Sequence, residues 1–509
     1  MRCLMPVVAG VAVAVFAWML SDSSSRAAPV PLSIAIQGNH FVNGAGQAIR
    51  LVGANHPSAE YACVDGFGYN DGHQADADAA TVASWHANAI RIPLNEDCWL
   101  GINGQPNSSQ GPPQPLTQAG YQKAVENYVS ALNAHGVYAI LDLHWTASGN
   151  AVANSQEPMP DAHSTAFWQS VAQTFKSNPA VVFDVFNEPF DPTDPKSGDD
   201  PDPTDKVSWD CWQNGGCSTA AYTNNGSDTV RTGAKYPVVG LQTLVNTIRA
   251  AGATQPVMTG GLDYANDLSQ WADHAPDDPL NQEAASFHNY QGKSCDNAAC
   301  WNTTIAAVAT AVPVVTGEFD QDVCRPSTFD NDYMTWADQH GVGYLAWGWW
   351  VLSRQEIADA GCSAYYLLSD WKGTPAAPNG TNLHDHLAAL AGVRVQTAGS
   401  LTHFSATLAG MKLRFSLRSP VACTATLAIQ TVNLYVVRSG HRTRRTHVSL
   451  GGGHFALPAG RTRTISVPLS SAGRHLLLAH RTVKVQVTIT LKSASGTQTE
   501  RHVVTLSRR

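Results

Sequence analysis

Two glutamates carry the first sign of chemistry. Glu188 stands near the end of VVFDVFNEP, residues 181–189, and Glu318 near the end of PVVTGEF, residues 313–319. Each follows an otherwise apolar stretch. A carboxylate taken out of water costs on the order of several kcal/mol unless it is paired or used. One such glutamate reads most simply as half of a buried ion pair. Here there are two, and Asn187 sits beside the first. Arg91, His144, His288, Tyr290, Trp347 and Trp349 end other apolar stretches. That set points to a single cleft in which one carboxyl group gives a proton and a second attacks.

Such chemistry requires residues far apart in sequence to converge. Eight strand-like stretches supply them: residues 48–55, 89–94, 138–145, 181–189, 256–261, 285–290, 313–319 and 343–350. Their apolar residues run on rather than alternate, as in strands covered on both faces. Helical segments lie between them. In residues 121–136, Ala124, Val125, Tyr128, Val129 and Leu132 recur at helical spacing and Gly136 supplies the stop. Residues 166–177 and 241–252 read the same way. Eight βα repeats specify an α/β fold of the (β/α)8 TIM-barrel type, whose active sites lie at the C-terminal ends of the strands. A doubly wound open sheet is the alternative, but no Gly-rich phosphate turn follows an early strand. Trp85, Trp168 and Trp336 fall in helical segments and read as core. Trp99 and Trp145 follow strand ends and read as binding platforms.

The Arg-Ile-Pro of the second strand, LDLHW, FNEP, HNY, the TGE of the seventh strand and the Trp of the eighth form an ordered set. It resembles glycoside hydrolase family 5, the cellulase-like branch of the retaining (β/α)8 glycosidases, over about residues 34–390. The resemblance implies Glu188 as general acid/base and Glu318 as nucleophile. Arg91, His144, Asn187, His288, Tyr290 and Trp347 would surround them. Trp349 is a second candidate for the sugar-stacking residue, though counting from the Gly that opens the strand favours Trp347. Retaining hydrolysis needs carboxyls about 5–5.5 Å apart. Arg91 and Tyr290 would keep Glu318 charged, and that charge would keep Glu188 protonated.

The implied substrate is a β-linked polysaccharide or oligosaccharide, cut by endo-β-1,4-glucanase action. Endo-β-mannanase or exo-β-glycosidase action of the same family is the alternative. A non-catalytic polysaccharide-binding protein on the same scaffold is the reading from a different class. No cofactor, no metal ligand set and no nucleic-acid partner are expected, and the chain is expected to be a monomer.

The 509 residues fit one barrel and a smaller module. Arg2, an apolar run from Leu4 to Leu20, a Ser-rich stretch and Ala27-Ala28 read as a signal peptide over residues 1–28. The product is then secreted, and its cysteines can oxidise. Proximity pairs Cys63 with Cys98, Cys211 with Cys217, Cys295 with Cys300 and Cys324 with Cys362, leaving Cys423 unpaired. All four pairs fall in loops after strands. The Asp- and Pro-rich segment 191–235 is long enough to shape the cleft, through Trp209 and Trp212. It also offers hard oxygen ligands for calcium, but without an EF-hand spacing.

Composition changes near residue 395, dividing a catalytic domain at 29–395 from a module at 396–509. Beyond the boundary, β-branched and polar residues alternate, as in TVKVQVTITLKS at 482–493. This predicts an all-β sandwich with an immunoglobulin- or fibronectin-like pattern. The net charge of -8 hides a division. Residues 396–509 hold 16 Lys and Arg against one acidic residue, Glu500, while residues 1–395 hold 16 against 39. The basic module suits an anionic surface such as cell wall, or serves as a spacer against the acidic barrel. All 14 Trp precede residue 396, so the module is poor in flat sugar-binding surfaces.

Overall fold

The computed structural model describes residues 32–392, apart from 72, 109–114, 195–201, 227–228 and 325–326. It also describes residues 403–507, apart from 410–411, 420–422, 440–441, 459–460, 481 and 494–495. The expected signal peptide and the boundary near 395 lie outside the described residues.

The eight apolar stretches become eight parallel strands: β1 (Val52–Asn55), β2 (Ala89–Asn95), β3 (Tyr138–Trp145), β4 (Val181–Asp184), β5 (Val257–Gly260), β6 (Glu283–Tyr290), β7 (Val314–Asp320) and β8 (Gly343–Ala346). They close into a barrel in sequence order, with β8 paired to β1. Successive side chains point to opposite faces of a strand, and each strand uses both faces. Ile90, Ile92, Leu141, Leu143, Phe183 and Phe287 point outward and pack with Val125, Val129, Phe167, Val171, Leu244 and Ile248 of the surrounding helices. Inward residues form layers. Ala89, Ile140, Val182, Met258, Ala284, Val315 and Leu345 fill the lower barrel, and Ile34, Ile36 and Phe41 of an N-terminal hairpin join them. Two residues further along several strands the inward positions turn polar: Arg91, Asp142, Asp184 and Ser286, all fully buried.

The segment after β4 carries regular structure beyond residue 201. It forms a short helix, Trp209–Asn214, and a hairpin of Ser218–Asn224 with Thr229–Pro237. Two of its acidic residues are matched by protein cations. Lys235 pairs with Asp202 at 2.9 Å and with Asp205 at 2.7 Å, and Arg231 also pairs with Asp205.

Disulfides join Cys63 to Cys98, Cys211 to Cys217 and Cys295 to Cys300, as expected. The expected bridge between Cys324 and Cys362 is not formed. Their segments are nevertheless adjacent, since the Val323 N–H donates to the Cys362 carbonyl at 3.1 Å. Cys423 is buried and forms no disulfide.

The C-terminal residues form two larger antiparallel sheets and a two-stranded ribbon of Tyr435–Ser439 with Arg442–Thr446. One of the larger sheets holds β9 (His403–Ala409), β10 (Lys412–Arg418) and β13 (Thr462–Pro468). The other holds β11 (Cys423–Thr431), β12 (Ser449–Leu457), β14 (Thr482–Ser493) and β15 (Gly496–Ser507). Leu413, Phe415 and Leu417 of the first sheet share a core with Leu427, Ile429, Val485 and Val487 of the second. The alternation read in the sequence is therefore a sandwich. A helix, Ser471–Ala479, is an addition to it. Ser470 caps the helix, and Leu476 and Leu477 enter the core.

Candidate active site

The polar layer is organised by Arg91. Its guanidinium donates to Asp184 Oδ2 at 2.8 Å, Asn187 Oδ1 at 2.8 Å, Glu318 Oε1 at 2.8 Å and Asn55 Oδ1 at 3.1 Å. It also lies 2.9 Å from Asp142 Oδ1. One fully buried cation thus faces three carboxylates. Burial works against its charge, but Asp142, Asp184 and Glu318 outweigh burial and hold Arg91 protonated. Burial pushes Asp142 and Asp184 up to about 7, with Arg91 opposing in both cases.

Glu318 is held on its second oxygen as well, where the Tyr290 hydroxyl donates to Oε2 at 2.7 Å. Burial, reinforced by Glu318, keeps Tyr290 protonated well above its usual range. A register shift between Phe287 and His288, where β6 pairs with β7, sets His288 opposite Glu318.

Glu188 lies four residues beyond the last paired residue of β4. The backbone there leaves the ladder but stays tied to its neighbours: the Val185 N–H donates to Met258 and the Asn187 N–H to Leu143. The Glu188 carboxyl reaches back over the barrel, with Oε1 at 2.9 Å from His288 Nδ1. That nitrogen is also 3.7 Å from Glu318 Oε2. A carboxylate oxygen of Glu188, one of Glu318 and a ring nitrogen of His288 all lie within 4.8 Å of one another. Burial raises Glu188 above the ordinary carboxylate range, while His144, Lys293 and Arg91 oppose the shift. Burial leads this shift, rather than the charge of Glu318 expected from the sequence. The same burial drives His288 down to about 3 and His144 down to about 4. Both imidazoles are neutral across the physiological range.

The remaining expected residues fall into two groups. His144 Nδ1 lies 2.6 Å from Asp142 Oδ2, and its ring stacks parallel to Trp347 with centroids 5.5 Å apart. Asn187 Nδ2 donates to Gln156 Oε1 at 2.7 Å. Trp347 is half-buried and faces a cavity of about 610 Å³ with Tyr61, Trp350, Tyr365 and Trp371. Arg91, His144, Asn187, Glu188, His288, Tyr290, Glu318 and Trp347 are thus brought together. Trp349 is not. It is 1 % exposed, packs edge-on against Trp85 and donates to Asp78 at 2.8 Å. Three residues after β8 begins to open into the cleft, its side chain turns toward the helices, so it offers no face to a sugar. Trp99 is likewise buried in the core, correcting the expectation that it forms a platform. Trp212 is buried there too, while Trp209, 7% exposed, lines a cavity beside β4. Trp85, Trp168 and Trp336 are core, as expected.

Several contributors were not read from the sequence. Asp142 and Asp184 carry a signal, because each is an acid at an inward position within an apolar strand. Gln156 and Trp371 lie on long connections where no periodicity marks them. A second cavity, of about 600 Å³, opens on the β4–β6 side of the barrel mouth. Phe190, Leu262, Tyr264, Asn266 and Cys295 are among its lining residues.

The family model for cellulase, glycosyl hydrolase family 5, matches residues 42–353. The chain belongs to glycosyl hydrolase family 5. It is a glycoside hydrolase, and the eight converging residues all lie within the matched span. No curated protein matches the chain. Among solved structures, a β-glucanase from Saccharophagus degradans in complex with cellotetraose is 19% identical. The match covers 70% of this chain and 94% of that one, with a TM-score of 0.50. The catalytic domain of a mannanase from Streptomyces sp. SirexAA-E is 18% identical over 74% of this chain and 94% of that one, with a TM-score of 0.45. At this identity the glucanase likeness shows the fold of this family 5 enzyme and no more.

Proposed function

We propose that the protein is a secreted, retaining endo-β-1,4-glucanase in which Glu318 is the nucleophile and Glu188 the general acid/base. The observation that carries this reading is the approach of the two carboxyls, with oxygens within 4.8 Å. Inverting enzymes hold their carboxyls about 6.5–9.5 Å apart to admit a water between them, whereas retaining enzymes hold them at roughly 5–5.5 Å.

In the first step Glu318 attacks the anomeric carbon and the glycosidic C–O bond breaks. The departing oxygen takes the proton of Glu188. In the second step Glu188, now a carboxylate, takes a proton from water, whose oxygen displaces Glu318 and frees the sugar. Arg91 and Tyr290 hold Glu318 for attack, each through one oxygen. Asn187 Oδ1 is engaged by Arg91 and one hydrogen of its Nδ2 by Gln156; the other would be donated to the sugar 2-hydroxyl, a bond that strengthens in the transition state. Trp347 offers its flat face to the C–H side of a pyranose. Cavities on the β8–β1 side and the β4–β6 side of the barrel mouth offer room for more than one sugar, which favours endo action.

Purified protein should be screened against soluble cellulose derivatives, mannans, xyloglucan and short aryl β-glycosides. Endo-glucanase action lowers the viscosity of a cellulose derivative well before reducing ends accumulate. Turnover confined to mannan, or release of only one sugar per event, would overturn the substrate or the mode respectively.

A further inference from the structure

We propose that Glu96, Asp161 and His163 form a binding site for one divalent cation, with the Ala147 carbonyl as a fourth ligand. The site lies apart from the catalytic carboxyls. Glu96 follows the end of β2, Ala147 follows β3, and Asp161 caps the helix Ala162–Phe175.

The geometry is that of converging donors. A carboxylate oxygen from each acid and a ring nitrogen of His163 lie within 4.8 Å of one another. His163 Nδ1 stands 4.0 Å from Glu96 Oε2, 3.9 Å from Asp161 Oδ1 and 3.3 Å from the Ala147 carbonyl. Ligands of an ion bound at about 2.0–2.3 Å stand roughly 3–4 Å apart.

The two carboxylates are only partly satisfied: Asp161 accepts from the backbone at the helix start, yet each acid keeps one oxygen without a partner. Glu96 is 0% exposed and Asp161 is 2% exposed. Ser164 Oγ donates to Glu96 Oε1 at 2.7 Å and the His163 N–H donates to Asp161 Oδ1 at 2.7 Å. Glu96 Oε2 and Asp161 Oδ2 have no hydrogen-bond partner. Fully buried Asp97 adds a third negative group nearby, with its oxygens taken by Asn103 and the Ala153 N–H. Among the described residues, no lysine or arginine pairs with any of the three acids. A buried carboxylate oxygen without a donor calls for an explanation, and a cation between the two acids supplies one. The rival is a proton shared by Glu96 and Asp161 with His163 Nδ1 donating to the Ala147 carbonyl, and it predicts no bound metal.

One imidazole among oxygens favours Mn²⁺ or Zn²⁺ over Ca²⁺. Such an ion would tie the end of β2 to the segment after β3. That segment carries Gln156, the partner of Asn187.

The test uses the full chain, stripped with EDTA and refilled with Mn²⁺, Zn²⁺ or Ca²⁺ alone, with metal content and Tm as readouts. One equivalent of Mn²⁺ or Zn²⁺ should bind, raising Tm by about 5 °C at 100 times Kd. Asp161→Asn preserves the helix cap, since Asn caps as well as Asp. That variant and Glu96→Gln should each lose the bound ion and the Tm response. His163→Gln should weaken binding at least about tenfold. A Tm indifferent to all three ions with no stoichiometric metal would overturn the proposal, as would binding that survives Glu96→Gln combined with Asp161→Asn.

Discussion

Glu188 and His288 meet across a 2.9 Å hydrogen bond between Oε1 and Nδ1. Burial raises the carboxyl and lowers the imidazole, so it favours the neutral form of both. Burial thus works against the salt bridge these side chains would form in water and favours a proton on the acid, where the proposed mechanism needs it.

The first consequence concerns leaving groups. Glu188→Ala removes the proton donor and leaves the nucleophile in place. Hydrolysis of polysaccharide should fall by about 10²–10⁴ in kcat/KM. Cleavage of an aryl β-glycoside with an acidic phenol should fall far less. Steady-state kinetics on both substrates reads the difference, and equal losses on both would count against the assignment.

The pH profile follows from the same pair. Glu188 works protonated, so activity is full below its pKa and falls as pH rises through it. Because the folded value is raised, the alkaline limb of kcat/KM should lie above the ordinary glutamate value of about 4.3. His144 and His288, held near 4 and 3, should add no limb between about pH 5 and 8. In Glu188→Ala, assayed on an activated aryl glycoside, the alkaline limb should vanish. An alkaline limb that persists in that variant would contradict the reading.

Two tryptophans separated by a single glycine should behave differently. Trp347→Ala should lower kcat/KM by roughly 10–100-fold, the worth of about 1.5–3 kcal/mol of apolar contact, with little change in Tm. Trp349→Ala empties a core position and should destabilise by about 3–5 kcal/mol. Thermal unfolding together with kinetics separates the two, and a specific activity defect in folded Trp349→Phe would restore that residue to the cleft.

Stability should fall as pH rises. Burial lifts Glu157 to about 9, Glu60 to about 8, and Asp142 and Asp184 to about 7. Unfolded carboxyls titrate near 4. Between these values the folded chain holds more protons than the unfolded one, so their stabilising effect is complete below about pH 4 and is lost through the folded values. Tm should therefore be higher at pH 5 than at pH 8, and Glu157→Gln should flatten the decline. Calorimetry at the two pH values checks the sign.

The barrel was legible because its strands are buried on both faces, so apolar runs marked all eight. Glu188, Glu318 and Arg91 were legible because ionisable groups are rare in such runs. Trp349 was misread for the same reason. A strand-end Trp looks alike in sequence whether it faces the cleft or the helices, and only the path of the chain after Ala346 decides. Gln156 and Trp371 were invisible because long connections have no period to break. The helix Ser471–Ala479 was missed among strands because its three leucines suit a sandwich core in either conformation.

Retention through Glu318 is tested most directly by trapping. A 2-deoxy-2-fluoro β-glycoside with a good leaving group slows the second step and lets the glycosyl-enzyme accumulate. Mass spectrometry of the digested protein should find the fluorosugar on the peptide that contains Glu318, bonded to its carboxylate. A label on another residue would contradict the assignment, as would an unlabelled enzyme that releases product of inverted anomeric configuration.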